Sequence, residues 1–268
     1  MSRLTIFMKG NVDVRDSLHS LRSGGKVLWN GINEIVRARY PGTVVRLRHE
    51  PFSRSDGLLE ADGTIPAAVT DRALRLAPFT PESQYSKMTF ETDAAVVVLS
   101  IQPDVTIALL RHRRDGFLLN AAYWDSWSAA DQDWLRKEFV YTGLLEVETS
   151  MKNLAQAVSR IRQRSEAPIL VYNLSAVVPG DLVHCYQGLD EILSTRVRRF
   201  NLGLVELSRD TGISVVDVDA VVARAGADRV KLDAIHLTAE GCRLVAEEVV
   251  RILEDLGCLA RAEVDRCA

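Results

Sequence analysis

Five short apolar, β-branched runs punctuate the chain: Leu4–Met8, Val44–Arg48, Ala94–Leu99, Ile169–Tyr172 and Ile213–Val218, each bounded by Gly, Pro or Asp. Such runs read as strands buried in a sheet. Between them the apolar spacing becomes helical. Lys26 to Tyr40 carries a stripe that stops at Pro41-Gly42, Val147 to Arg164 repeats Leu154, Val158 and Ile161 on one side, and Thr195 to Thr211 and Ala239 to Leu256 behave likewise. Strands separated by helices imply right-handed crossovers and a mostly parallel sheet covered on both faces. The pattern therefore predicts an α/β fold, a three-layer α/β/α sandwich around a mostly parallel five-stranded sheet of flavodoxin-like kind, in one domain over residues 1–268.

Two segments depart from this alternation. Residues 57–92 hold Pro66, Pro78 and Pro81 and read as a short helix followed by an extended surface excursion. Residues 111–143 are dense in aromatics, with Phe117, Tyr123, Trp124, Trp127, Trp134, Phe139 and Tyr141 after the third strand. An insertion there is placed to form a lid or an acyl pocket. A helical appendage whose aromatics pack on one another is the other reading.

Composition narrows the partners. With 268 residues and 47% apolar side chains the chain can bury a large core. A net charge of −3 gives no bulk electrostatic case for nucleic acid or an anionic membrane. No apolar stretch approaches the ~20 residues that cross a bilayer, and the strand pattern at Leu4 leaves no room for a secretory leader, so a cytoplasmic location is expected. Cys185, Cys242, Cys258 and Cys267 form no CxxC pair and read as reduced thiols. His19, His49, His112 and His184 share no ligand spacing, so neither a metal nor another cofactor is expected, and the sequence does not fix the oligomeric state.

The chemistry concentrates near the C-terminal end, in Asp233-Ala-Ile-His236-Leu-Thr-Ala-Glu-Gly241. A carboxylate three residues before a histidine, both in the loop entering a helix, can accept the second ring N–H and orient the imidazole as a general base. A nucleophile is available at the other end of the chain, in Arg15-Asp16-Ser17-Leu18. In an open α/β sheet the two can meet, because the loops at the strand carboxyl ends form one crevice. An ordinary cap or turn serine is the other reading of Ser17.

The first strand, the Asp16-Ser17-Leu18 turn and the late Asp233-x-x-His236 with Leu-Thr-x-Glu-Gly behind it together resemble the SGNH (GDSL-type) hydrolase superfamily, most strongly from Phe200 to Ile252. The resemblance implies an SGNH-hydrolase-like sandwich and a serine-dependent acyl-ester hydrolase or acyltransferase on a small-molecule ester. Ser17 would be the nucleophile, His236 its base and Asp233 the orienting carboxylate. The departures keep a second reading open. Seven residues, Lys9 to Arg15, separate Met8 from Asp16, and the family's glycine-aspartate-serine can instead overlay Gly10-Asn11-Val12, which puts valine at the nucleophile position. Where the family has Gly-x-Asn-Asp, this chain has Ser100-Ile101-Gln102-Pro103-Asp104. Gly10, Asn11, Gly57, Gln102 and Asn173 are the candidate oxyanion or substrate-binding residues. The alternative is thus a degenerate, non-hydrolytic member that binds a ligand or runs other chemistry through His236 and strand-end amides.

Overall fold

The computed structural model describes residues 2–51, 54–72, 74, 76, 80–179 and 186–259; Pro78, His184, Cys185 and Cys267 lie outside them. Along the chain run β1 (Ser2–Lys9), α1 (Val12–Leu18), α2 (Asn33–Arg39), β2 (Thr43–Glu50), β3 (Val96–Ser100), α3 (Ala129–Glu138), α4 (Val147–Arg162), β4 (Ile169–Tyr172), α5 (Leu193–Thr211), β5 (Ser214–Val216), α6 (Val218–Ala225), α7 (Ala227–Val230) and α8 (Ala239–Asp255), with shorter elements between. The five strands form one parallel sheet in the order β5-β4-β3-β1-β2.

The period-2 alternation of a strand sorts the apolar runs onto two faces. Leu4, Ile6 and Met8 of β1, Val96 and Val98 of β3, and Leu170 and Tyr172 of β4 pack with Val14 and Leu18 of α1, Ile35 of α2, Val222 of α6 and Val245 and Val249 of α8. Phe7, Val97, Leu99, Ile169 and Val171 point the other way, into Leu154 and Val158 of α4 and Phe200 and Leu204 of α5. Burial on both faces explains why β3 reads as an unbroken apolar run.

Three local readings change. The helix expected over Lys26 to Tyr40 is helical only from Asn33, because Lys26–Trp29 pairs antiparallel with Leu21–Ser23. Gly24, Gly25 and Gly31, at φ of 54°, 78° and 82°, supply the left-handed turns. β5 stops at Val216, since the Asp217 carboxylate accepts the Ala220 amide at 3.0 Å and starts α6. The aromatic insertion builds its own antiparallel sheet from Leu110–His112, Leu118–Leu119 and Phe139–Tyr141. Beneath it Leu119, Trp127, Leu135 and Phe139 form a satellite core, with Phe117 and Trp134 edge-on to Phe139. Most of its aromatics therefore hold the insertion together.

The Leu-Thr-x-Glu-Gly stretch has a local explanation. Thr238 caps α8 by accepting the Gly241 amide at 3.2 Å. A Cβ on Gly241 would lie 2.5 Å from the Val230 carbonyl oxygen, so only glycine permits this approach. The cap fixes the loop that carries His236.

Candidate active site

β1 ends at Lys9, and the chain must turn sharply beside β3. Gly10 makes this possible: a Cβ there would meet Val14 Cγ2 at 2.8 Å and Ser100 Cβ at 3.1 Å. Asn11 and Val12 follow at the start of α1. They open into a cavity of about 900 Å³ at the carboxyl ends of the strands, shared with Arg15, His49, Gln102, Tyr123 and His236. This is where an open parallel sheet offers a ligand site.

His236 is oriented as the sequence predicts. Its Nδ1 lies 2.7 Å from Asp233 Oδ2, while Asp233 Oδ1 accepts the backbone amides of Ile235 and His236 at 2.8 Å each. Burial pushes the Asp233 carboxyl up, but these amide donors and the imidazole prevail and hold it below the usual carboxylate range. An ionised Asp233 accepts a hydrogen bond from Nδ1–H, which leaves Nε2 as the ring's proton acceptor. Half of the His236 side chain is exposed, 49%, so that nitrogen is reached from solvent. Lys231 braces the loop, donating from Nζ to Val177 O at 2.5 Å and Ala234 O at 3.0 Å.

Ser17 does not share this cavity. It is fully buried, donates to the Asp13 and Val14 carbonyls at 2.9 and 3.1 Å, and lies 3.1 Å from the Tyr172 hydroxyl. The reason is helical phase: Ser17 stands three residues after Val14 and next to Leu18, on the stripe of α1 that faces the sheet. Val12, five residues earlier and so about 140° round the helix from Ser17, lines the cavity instead. Of the candidate amides, Gln102 lines the cavity and accepts Asn11 Nδ2 at 2.7 Å on its Oε1, while its Nε2 donates to Thr106 Oγ1 at 2.6 Å. Gly57 and Asn173 do not line it. Gly57 is buried in the helix Ser55–Glu60 against Leu109. Asn173 donates to Asp217 Oδ1 at 2.8 Å and accepts the Asp219 amide at 3.2 Å, tying β4 to the start of α6.

Several cavity neighbours escape sequence reasoning. Asp13, directly after Val12, turns a buried carboxylate under the floor. Its Oδ2 accepts the Ser100 hydroxyl, whose oxygen in turn receives the Gln102 amide at 2.9 Å. Burial, only partly offset by Ser100 and nearby backbone amides, pushes this carboxyl up to about 6. His49 Nε2 sits 2.8 Å from Gly10 O. Burial lowers the His49 pKa, although that hydrogen bond to Gly10 opposes the shift. Tyr123, the one insertion aromatic at the cavity, holds a left-handed φ of 62° and is 71% exposed. Nothing in its spacing distinguishes it from the packed aromatics around it. Among the described residues no group of three or more His, Cys, Asp or Glu is placed to hold a metal ion, and no helix is long and apolar enough to cross a membrane.

The fold is that of the SGNH (GDSL-type) hydrolases. The chain superimposes on the lipase/acylhydrolase from Enterococcus faecalis with a TM-score of 0.55 at 13% identity, over 98% of this chain and 100% of that one. A variant of an acetyl-xylooligosaccharide esterase from Geobacillus gives 0.53 at 11% identity, over 100% and 98%. LAE5, an alpha/beta hydrolase from the metagenome of Lake Arreo, gives 0.53 at 13%, over 97% and 98%. No protein-family model matches the sequence, and no curated protein matches it.

Proposed function

We propose that this cavity hydrolyses a small-molecule acyl ester by direct general-base attack of water, without a covalent serine step. One observation carries the reading: an imidazole oriented by Asp233 at 2.7 Å opens onto the same cavity as Val12, while the Ser17 hydroxyl is committed inside the core. The esterase and lipase descriptions of the fold neighbours favour an ester as the substrate class. His236 Nε2 accepts a proton from water as the oxygen bonds to the acyl carbon. The tetrahedral intermediate then expels the alkoxide, which takes the same proton back from the imidazolium and leaves as the alcohol. The amide group of Gln102 supplies dipole stabilisation to the oxyanion. An acceptor alcohol in the place of water would make the site an acyltransferase; the solvent-open His236 favours water. The free thiols Cys242 and Cys258 suit a reducing compartment such as the cytoplasm.

Val12 also favours a second reading, a binding site that turns nothing over. Hydrolysis of 4-nitrophenyl acetate separates the two. Under the proposal the protein turns this ester over, His236→Ala lowers kcat/KM by about 10² to 10⁴, and a fluorophosphonate leaves the protein unlabelled but phosphonylates Val12→Ser, with loss of fluoride. Labelling of a serine in the unaltered protein, or full turnover by folded His236→Ala, refutes it. Binding without turnover selects the second reading.

A further inference from the structure

The helices over one face of the sheet leave a second cavity, about 430 Å³, that shares no residue with the first. Four guanidinium groups line it, each from a different helix: Arg39 of α2, Arg224 of α6, Arg229 of α7 and Arg251 of α8. Val221, Ala225 and Leu244 supply apolar wall.

The charges here are unevenly balanced. Both lining carboxylates are already engaged, Glu247 with Arg243 at 2.8 Å and Glu248 with Arg251 at 2.7 Å. Arg251 is held further by Asp255 at 2.6 Å. Arg229 meets Glu240 at 3.2 Å, and Arg39 reaches Glu254 only at 3.5 Å. Arg224 donates its Nε to the Ala220 carbonyl of its own helix at 3.1 Å, and no carboxylate pairs with it among the described residues. Exposed pairs such as Arg39 with Glu254 are weak and exchange readily. Four arginines against two carboxylates leave the cavity lining with an excess of positive charge, which favours an anion.

We propose that this cavity binds a small organic phosphate monoester, its phosphate among Arg224, Arg229 and Arg39 and its organic group against Val221 and Leu244. A carboxylate presents two oxygens in one plane and suits a single guanidinium fork; a dianionic phosphate presents three terminal oxygens to forks arriving from several directions. A volume of about 430 Å³ accommodates a phosphate and one ring.

Titration with phenyl phosphate, inorganic phosphate and benzoate, followed by the arginine Nε–H resonances in ¹⁵N–¹H spectra, tests this. Phenyl phosphate is expected to saturate and to bind more tightly than either of the others. Arg224→Ala should weaken it by about 10- to 100-fold, whereas Arg209→Ala, at an exposed residue paired with Asp210 on α5, should leave it unchanged. Thermal melts establish that both variants are folded. Absence of saturable binding, benzoate binding as tightly as phenyl phosphate, or undiminished binding by Arg224→Ala each overturns the proposal.

Discussion

Replacing Asp13 with asparagine should make the protein more stable as pH rises, relative to the unaltered chain. The Asp13 residue is partly buried beside the cavity; Oδ2 accepts from Ser100, and Oδ1 is buried with no hydrogen-bond partner. Burial therefore pushes its pKa up from 3.8 to about 6. A carboxyl whose folded pKa is raised contributes stability fully below its unfolded pKa and loses it as pH rises through the folded value. Here the loss runs from about pH 4 to about pH 6. At ~1.4 kcal/mol per pH unit it amounts to about 3 kcal/mol by neutral pH. The asparagine amide does not ionise, so the stability difference between Asp13→Asn and the parent should shift in favour of the variant by about 2 kcal/mol between pH 4 and pH 7.5. Urea unfolding of both proteins at the two pH values measures it. The pH-dependent part is the test, because any packing change made by the amide is common to both conditions. Asp104, also pushed up to about 6 by burial, remains in both proteins and cancels. A difference that stays constant from pH 4 to pH 7.5 would refute a strained, buried Asp13 carboxylate.

Two further outcomes are expected. Gly241→Ala drives a Cβ against the Val230 carbonyl oxygen, which is backbone and cannot swing aside, so it should cost about 1–3 kcal/mol in urea unfolding. Ser17→Ala removes a buried hydroxyl that meets Tyr172 and two carbonyls; it should lower stability by about 1 kcal/mol and leave ester turnover unchanged, and a loss of turnover in the folded variant would restore Ser17 to the chemistry.

The sheet was legible because a doubly buried parallel strand leaves an apolar signature that little else produces. The Asp233-His236 pair was legible for a similar reason: its geometry is made within four consecutive residues. Motif spacing misplaces Ser17, although Val14, Ser17 and Leu18 at helical intervals already assign it to the buried stripe of α1. Analogy of position draws Gly57 and Asn173 toward the site, whereas their actual partners, Leu109 and Asp217, are distant in sequence. The Asp13–Ser100–Gln102 chain joins the first turn of α1 to the end of β3, and such tertiary pairings have no local signal. The insertion misleads differently. Its aromatics mark a real cluster, but composition alone does not distinguish a ring that packs on Phe139 from one, like Tyr123, that reaches a cavity.

The order β5-β4-β3-β1-β2 leaves two strands with an unpaired rim, and they are blunted in different ways. β5 is three residues long, too short a template for another chain to extend. β2 has eight residues, but from Arg46 to its end it reads Arg46-Leu-Arg48-His49-Glu50, and Arg48 is joined to Asp93 at 2.7 Å. A stranger adding itself to that rim would have to strip water from a row of charged groups. Parallel sheets assemble from distant stretches of sequence and so expose their rims for longer while folding. The polar residues of β2, which contribute little to the core, thus act as guards against self-association during that interval.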